Sequence, residues 1–334
     1  MIHQSIMRLL AASFVPAFVL CLAVPAQGLA EGAPDAKYPT KLIKLVIPSV
    51  AGGSNDILGR FVANKLSERI GQTVMPENKS GANSIIASQF VSEAHSDGYT
   101  LLMVSNAFVT NTAVYQKLPY DPLTFTPIAL IGTGPNVIAV WPGLGVNSVK
   151  ELVALAKARP AALHYASSGL GGLHNFTGEL FKAATGTDII HVPYKGAGPA
   201  MNDVIAGHVE VLVNTVASAL PHINSGKLKA LAVDSESRSP LLPNVPTLSE
   251  TIPGYEGNAV WWGIVGPPNM PANLAEFLNH EIDAILKEPE VRQWLRAQSV
   301  ETMPGTPVAF GKWLESYAIK CKAIAKAANI KIDN

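Results

Sequence analysis

The chain of 334 residues is too long for one average domain and suits two. Hydrophobic residues make up 48% and charged residues 15%, a composition that can bury large cores and excludes general disorder. Lysine plus arginine and aspartate plus glutamate number 25 each, and no basic run occurs. This balance argues against nucleic acid as a partner, because phosphate binding needs clustered positive charge.

The first thirty residues have the pattern of a secretory signal peptide. Arg8 is the only early positive charge, an apolar run follows over 9–24, and small residues stand at Ala26 and Ala30. The apolar run is shorter than the roughly 20 residues that a membrane span needs. We therefore predict a signal peptide over 1–30, cleaved after Ala30 or, as second choice, after Ala26, and a soluble periplasmic product.

The two cysteines indicate a protein without an internal disulfide. Cys21 lies inside the signal segment, and Leu20 stands before it where a lipoprotein signal needs a small residue. Cleavage leaves Cys321 alone, so the mature protein must be held by its cores. Lysines flank Cys321 and would favour a reactive thiol, but a partly buried structural cysteine is the ordinary interpretation.

The mature chain begins with a strand, a glycine turn and a helix. An apolar run over 42–47 predicts a buried strand ended by Pro48, and apolar residues recur at helical spacing over 57–70 until Gly71. The predicted N-cap is one of three polar residues: Ser54, Asn55 or Asp56.

The same alternation continues along the chain. Further strands are predicted at 101–104, 137–140, 164–166, 189–192, 209–213 and 228–233. Helices are predicted from Ser148 to near Pro160, from 174 to Gly186, from 201 to Gly207, and through the tail from Pro271. Strands that alternate with helices over short loops predict an α/β fold with parallel sheets covered on both faces, and ligands of such sheets bind at the carboxyl ends of the strands.

No catalytic signature is present in the sequence. It lacks a G-x-S-x-G nucleophile elbow, a phosphate-binding P-loop and a complete dinucleotide fingerprint. The eight histidines form no metal-binding pair at helical spacing. We therefore predict no metal, no cofactor and no enzymatic activity.

Two glycine-rich loops, at 51–56 and 167–174, are the candidate sites. Each leaves a strand and opens a helix, whose N-terminus presents unpaired N–H groups and about half a positive charge. Such a loop binds a carboxylate or phosphate without Arg or Lys, and glycine lets the backbone approach the ligand closely. Two such loops at corresponding points of two α/β halves predict a cleft that clamps an anion from both sides.

The candidate ligand-binding residues share a position at the carboxyl ends of the predicted strands. They are Ser49, Ala51, Gly52, Gly53, Asn55, Asp56, Ser105, Asn106, Ser167, Ser168, Gly169, Gly171, Gly172, His174, Tyr194, Thr215 and Trp262.

Several of these side chains have a structural alternative. Asp56 is a helix cap or a ligand group, and a carboxylate facing a bound carboxylate would repel it. His174 caps or packs its helix, or donates to the ligand. Trp262 is a hinge or core residue, or it lines the pocket. Lys195, which follows Tyr194, is a candidate anion partner, but a solvated loop lysine is the more common case.

The chain resembles the Bug or TctC type of periplasmic receptor of tripartite tricarboxylate transporters. The matching segments are IPSVAGGSNDILGR from Ile47, SDGYTLL from Ser96, HVPYKGAGPAMNDVIAGHVEV from His191, ASALPHINSGKLKALAV from Ala217 and LPNVPTLSE from Leu242. They extend over almost all of the mature chain, and HVPYKGAGPA is the most specific of them.

The resemblance implies a type II periplasmic-binding-protein fold, with two doubly wound lobes, a hinge and a ligand cleft between them. We place lobe 1 at 38–136 and 263–334 and lobe 2 at 137–262. The ligands of the family are small carboxylates: di- and tricarboxylates, amino acids or aromatic acids. The resemblance further implies that both glycine loops hold a carboxylate, partly through water, and that a monomer delivers it to membrane transporter subunits or to a sensor.

Two positions depart from the family pattern. Ser49 stands where an aromatic residue usually follows the strand proline, and Gly172 stands where a hydroxyl residue is common in the second loop. Both changes remove bulk near the expected ligand and predict a roomier pocket that accepts a larger acid. The alternative function is a hydrolase or isomerase on an α/β scaffold, which would need a nucleophile or base with a partner at a strand end.

Overall fold

The computed structural model describes residues 38–255, 257–327 and 330–331. The predicted signal peptide and both predicted cleavage sites lie outside these residues. Within them, none of the helices has the length and apolar character needed to span a bilayer.

The described residues form eleven strands, eleven α-helices and two short 3-10 helices at Ala82–Ser84 and Pro142–Leu144. The strands are β1 (Ile43–Ile47), β2 (Val74–Asn78), β3 (Thr100–Ser105), β4 (Phe125–Gly134), β5 (Asn136–Val140), β6 (Leu163–Ser167), β7 (Ile189–Pro193), β8 (Val211–Thr215), β9 (Lys229–Asp234), β10 (Val260–Pro268) and β11 (Glu301–Thr302). The helices are α1 (Ser54–Ile70), α2 (Ile85–Ser92), α3 (Asn106–Val114), α4 (Val149–Ala158), α5 (Leu173–Thr185), α6 (Ala197–Ile205), α7 (Val216–Asn224), α8 (Leu248–Thr251), α9 (Ala272–Lys287), α10 (Pro289–Ala297) and α11 (Pro307–Ala327).

The local signals in the sequence mostly mark real element ends. Gly71 and Gly186 follow α1 and α5 in the left-handed conformation, with φ of 67° and 61°. Ser148 caps α4 by accepting the N–H of Glu151. The predicted polar N-cap of α1 is wrong: Gly53 holds that position, and no side chain caps the helix.

The strands form two sheets rather than one. The first has the order β11-β4-β10-β3-β1-β2 and the second the order β7-β6-β8-β5-β9. Buried apolar clusters lie on both faces of each sheet, which confirms the predicted α/β architecture. The predicted lobe boundaries stay a prediction, although the pairing of β10 places Trp261 and Trp262 in the first sheet.

The expectation of parallel sheets holds for β1 with β2 and β3 and for β6 with β7 and β8, but both sheets are mixed. Strand β10 runs antiparallel to β3 and β4, and β5 runs antiparallel to β8 and β9. Both are the first strands after a passage of the chain between sheets. Only Pro135 separates β4 from β5, so β5 starts at the edge where β4 ends and must run away from it. The return from β9 to β10 has the same consequence.

A close backbone approach at Gly132 gives a test of this packing. A Cβ atom at Gly132 in β4 would overlap the carbonyl oxygen of Glu301 in the paired strand β11, which cannot rotate away. We expect Gly132→Ala to lower the free energy of unfolding by about 1–3 kcal/mol, measured by urea denaturation.

Gly198→Ala is the matched control. Gly198 lies within α6, and a Cβ atom there meets no atom within 4 Å. Since alanine is the better helix former, this variant should keep or gain stability. Equal stability of both variants would contradict the close approach of β11.

Candidate functional site

The first half of the candidate site lies at the carboxyl edge of the first sheet. Strands β1 and β3 are parallel neighbours, so the loop after β1 lies beside Ser105 at the end of β3. The Asn55 side-chain amide donates to the Ser105 hydroxyl at 3.3 Å. The antiparallel β10 begins at the same edge, with Trp262 opposite Ser105. The fold therefore brings together Ser49, Asn55, Ser105 and Trp262.

The N-terminus of α1 is left without a cap in this loop. Gly52 has φ of 81°, a conformation that requires glycine. Gly53 has φ of −73°, and a Cβ atom there would make only ordinary contacts, the nearest at 3.4 Å. The backbone therefore does not require glycine at position 53. Its effect is to leave the first N–H groups of α1 without a capping side chain, next to exposed Ala51 and half-exposed Gly53.

Asp56 braces this loop from inside. Its carboxylate is 4% exposed and accepts from the Gly52 N–H at 2.9 Å, the Asn78 amide at 2.8 Å and the Arg60 guanidinium at 2.8 Å. Burial by itself would raise the pKa of Asp56, but the hydrogen bonds from Gly52 and Asn78 and the charge of Arg60 together lower it. The ionised carboxylate thus has three partners within its own lobe.

The second half of the site lies at the carboxyl edge of the second sheet. Strands β7, β6 and β8 are parallel neighbours, and the loop after β6 contains Ser168 to Gly172. Gly169 and Gly171 have φ of 146° and 67°, so both require glycine. Gly172 is the uncapped N-cap of α5, with φ of −81° and only one neighbour near a built Cβ atom, the Gly169 oxygen at 3.6 Å. It repeats the situation of Gly53.

A buried polar network fixes the shape of this second loop. The side-chain oxygen of Asn175 accepts from the Gly171 N–H at 3.0 Å, and its side-chain nitrogen lies 3.2 Å from the His191 Nδ1. The His191 Nε2 lies 2.6 Å from the Ser167 Oγ, which also donates to the Gly169 carbonyl at 3.1 Å. Neither His191 nor Asn175 belongs to the glycine loop itself, so the sequence pattern gives no signal of their role.

The Ser167–His191 pair resembles a catalytic dyad but has the opposite polarity. The Asn175 amide can only donate, so the His191 Nδ1 accepts and the proton is on Nε2. The His191 Nε2–H then donates to Ser167 and cannot take its proton. Ser167 is also fully buried. The arrangement therefore orients a loop and does not activate a nucleophile.

His174 lies in the first turn of α5 with one unpaired ring nitrogen. Its Nδ1 lies 2.7 Å from the Ser168 hydroxyl, whereas its buried Nε2 has no hydrogen-bond partner. Burial lowers the pKa of His174 to about 4, so the ring is neutral at neutral pH. A neutral ring can offer a hydrogen bond but no charge.

Other predicted site side chains have local partners. The Tyr194 hydroxyl donates to Asp203, and the Thr215 hydroxyl caps α7. The Asn106 side chain donates to the Tyr317 hydroxyl and accepts from the backbone N–H of Trp261. Lys195 is exposed beside Tyr194. These residues lie at the sheet edges, but their polar groups serve the fold.

The two edges face each other. The Thr110 hydroxyl in α3 lies 3.4 Å from the Gly171 carbonyl oxygen of the second loop. Leu173 at the start of α5 packs against one core cluster of the first sheet, and Phe176 is buried in the other. The bare N-terminus of α5 therefore lies against the first lobe.

Five buried polar atoms at these edges lack hydrogen-bond partners. They are the Ser49 Oγ, the Trp262 Nε1, the His174 Nε2, the Asn214 Nδ2 and the Asn136 Oδ1. Asn214 is the penultimate residue of β8 and Asn136 opens β5, and both were missed because an asparagine near a strand end resembles an ordinary turn residue. Leaving a buried polar atom unpaired costs about 1–3 kcal/mol, so the set indicates a place where a ligand or water completes the bonding.

Metal and thiol chemistry have no support among the described residues. No group of three or more His, Cys, Asp or Glu side chains in that part of the chain could hold a metal ion. Burial raises the pKa of Cys321 to about 12, which fits a structural cysteine.

A family model and several solved structures match most of this chain. Residues 58–330 match the model of the tripartite tricarboxylate transporter family receptor. A structure of an R. palustris protein with adipate is 34% identical, with a TM-score of 0.82 over 89% of this chain and 100% of that one.

Two further solved structures are similar over most of the chain. The periplasmic binding protein BugD is 30% identical, with a TM-score of 0.77 over 88% of this chain and 100% of that one. MatC from Rhodopseudomonas palustris, with bound malate, is 25% identical, with a TM-score of 0.76 over 86% of this chain and 99% of that one.

Acidification tests the role of the neutral His191. Burial, with a smaller effect from Lys182, lowers its pKa from 6.5 to about 4 in the folded protein. The contribution of neutral His191 to the free energy of unfolding is therefore complete above pH 6.5. It is lost as the pH falls toward 4, because the unfolded chain takes up the proton first. We expect the melting temperature to fall less between about pH 7 and about pH 5 in His191→Gln than in the unchanged protein.

His95→Gln is the control, since His95 lies outside this network. Asp56, His174 and Asp234 also titrate, but they are present in all three proteins and cancel in the differences. Parallel curves of melting temperature against pH for the unchanged protein and His191→Gln would contradict the proposed neutral state.

Proposed function

The chain belongs to the tripartite tricarboxylate transporter receptor family, and we propose that it captures a small carboxylate between the facing edges of its two sheets. Members of this family are solute-binding receptors of transporters, and this chain is accordingly a solute-binding protein rather than the alternative hydrolase or isomerase. The reversed polarity of the Ser167–His191 pair supports the same conclusion.

The partnerless polar atoms at the two edges carry the proposal. Four of them can donate a hydrogen bond: the Ser49 Oγ, the Trp262 Nε1, the His174 Nε2 and the Asn214 Nδ2. The bare N-termini of α1 and α5 add backbone N–H groups and the positive ends of two helix dipoles. A carboxylate offers the acceptors and the negative charge that this set lacks.

The acid is held without a cationic side chain at either loop. Arg60, in the helix that follows the first loop, is bound to Asp56 and Asn78. His174 is neutral at neutral pH, because its pKa is about 4. Recognition therefore depends on fixed dipoles, which cost little reorganisation when a carboxylate replaces water.

Two related proteins were solved with aliphatic dicarboxylates, adipate and malate. For this chain we propose a di- or tricarboxylate, an amino acid or an aromatic acid, with preference for a larger acid. Ser49 and Gly172 are small where the family usually carries more bulk, and a Cβ atom at position 172 would meet only the Gly169 oxygen. The free space at Gly172 would admit part of the ligand.

Delivery requires export and a partner. Similar proteins are periplasmic binding proteins, and we propose that the signal at 1–30 sends this chain to the periplasm as a monomer. There it would deliver its ligand to membrane transporter subunits or to a sensor. The lobes at 38–136 with 263–334 and at 137–262 would close on the ligand about the two chain crossings.

Thermal-shift screening tests the ligand class. Adipate, malate and 4-hydroxybenzoate are compared with adipamide, which keeps the shape but lacks the charge. At roughly 100 times Kd a true ligand should stabilise the fold by about 2.7 kcal/mol, because it binds only the folded state. We expect carboxylates to raise the melting temperature and adipamide to leave it unchanged. Mass spectrometry of the released ligand should recover the acid unaltered. Detection of a reaction product would contradict the proposal.

Gly172→Leu tests the size of the cleft. The backbone at this position accepts any residue, so the variant should fold while its side chain fills the space beside α5. We expect a loss of 4-hydroxybenzoate binding of about tenfold or more, the effect of displacing several apolar contacts. Gly305→Ala, where a Cβ atom meets nothing within 4 Å, is the control. Unchanged affinity in Gly172→Leu would place the ligand elsewhere.

A further inference from the structure

A second cavity lies where the chain crosses between the sheets. None of the predicted ligand-binding residues lines it. We name it the hinge groove; it encloses about 800 Å³ and is bounded by 133–135, 235–240, 257–259, 299–303 and the 313–320 face of α11. Segments that follow β9 form one wall and the α10–β11–α11 region forms the other. This volume is in the range of small-molecule sites.

The groove contains hydrogen-bond donors without partners. Asn258 is 1% exposed, and its Oδ1 accepts from Tyr317 while its Nδ2 has no partner. Ser299 is 8% exposed, has φ of 59° and leaves its Oγ unpaired. These are two independent, deeply buried polar groups in the lining of one cavity, and their burial without partners is costly unless something binds there.

Lys320 supplies the charge of the groove. Its Nζ donates to the Gly257 carbonyl and has no carboxylate of the described residues within 4 Å. Burial raises the pKa of Asp234, and the charge of Lys320 acts to lower it. By contrast, Glu250 holds Arg238 through both carboxylate oxygens, and Glu301 lies 3.5 Å from Arg296. The other two cations of the groove are thus already compensated.

Glu236 and Glu301 are exposed acids of the groove lining, and Asp234 is the buried acid next to Asn258. Both of its oxygens lie within hydrogen-bond distance of the Asn258 N–H, and one accepts from Thr177. Its negative charge is therefore already satisfied by donors of the fold. The Asn258 Nδ2, the Ser299 Oγ and the Lys320 N–H groups that Gly257 does not use remain for another acceptor.

The opposite part of the groove is apolar. Trp313 is partly exposed and stacks on Tyr317 at a centroid distance of 5.0 Å, and Met303 is 40% exposed. Pro135 and Pro240 also line the cavity. A ligand that fits this lining has an anionic or strongly accepting end and an apolar body.

We propose that the hinge groove is a second binding site, which takes a carboxylic acid with an aromatic or aliphatic body. The carboxylate accepts from Lys320, Asn258 and Ser299, and the body lies against Trp313 and Met303. This site is separate from the carboxylate cleft and does not depend on the ligand bound there.

Fluorine NMR titration with 4-fluorophenylacetate tests the site, with 4-fluorophenylacetamide as the uncharged comparison. Titrations are run on the unchanged full-length mature protein and on Gly172→Leu, which fills the cleft but leaves the groove intact. We expect 4-fluorophenylacetate to bind to both proteins. The amide should bind at least about tenfold more weakly, because it loses one charge-assisted hydrogen bond.

Two groove variants and one control, all made in the Gly172→Leu protein so that the cleft does not contribute, complete the test. Lys320→Met removes the charge but keeps most of the stem, and it should weaken binding by about tenfold or more. Ser316→Tyr fills the groove from an exposed position of α11 and should abolish binding even if Lys320→Met folds poorly. Lys312→Met, on the same helix outside the groove, should bind as the Gly172→Leu protein does.

The opposite results would overturn the proposal. Absence of binding in Gly172→Leu would assign the probe to the cleft. Equal affinity in Ser316→Tyr, or equal affinity of acid and amide, would show an adventitious surface contact only.

Discussion

In the part of the chain that the structure describes, both passages between the two sheets leave from their carboxyl edges, and this constraint determines most of the molecule. Pro135 alone joins β4 to β5, so the edge where the first sheet ends must lie next to the edge where the second begins. The passage from β9 to β10 repeats the connection in reverse. Helix N-termini in α/β sheets lie at carboxyl edges. The two bare helix starts at Gly53 and Gly172 are thereby brought to the same region without any contact of their own.

Rigid loops are the second requirement for binding by dipoles. A backbone N–H group recognises a carboxylate only if its position is fixed before the ligand arrives. Asp56 fixes the first loop through Gly52, and Asn175 fixes the second through Gly171. The two braces differ in chemistry: one is an ionised carboxylate with a low pKa, and the other is a neutral network that ends on His191. Both hold the loop without presenting an unpaired charge to the ligand.

The same crossings that create the cleft also create the hinge groove. Buried polar groups collect there because two irregular segments must pass through the interior, where every backbone and side-chain group needs a partner. Asp234, Asn258, Tyr317 and Asn106 satisfy one another in a chain of hydrogen bonds, and Asn258 and Ser299 retain unpaired atoms. A ligand in the groove would contact walls from both lobes, so its binding and the movement of the lobes would be coupled reciprocally.

The sequence by itself determined the alternation of strands and helices, the helix ends at Gly71 and Gly186 and the two glycine loops, because each depends on residues within a few positions along the chain. It also suggested that Asp56 serves the fold. Only the tertiary structure decided that β5 and β10 run antiparallel, that Gly53 rather than a polar residue begins α1, and that His191 donates to Ser167. These features depend on partners far apart in sequence, such as Ser167 with His191 and Asn258 with Tyr317. Local patterns carry no signal of which distant strand or ring will supply the other half of a hydrogen bond.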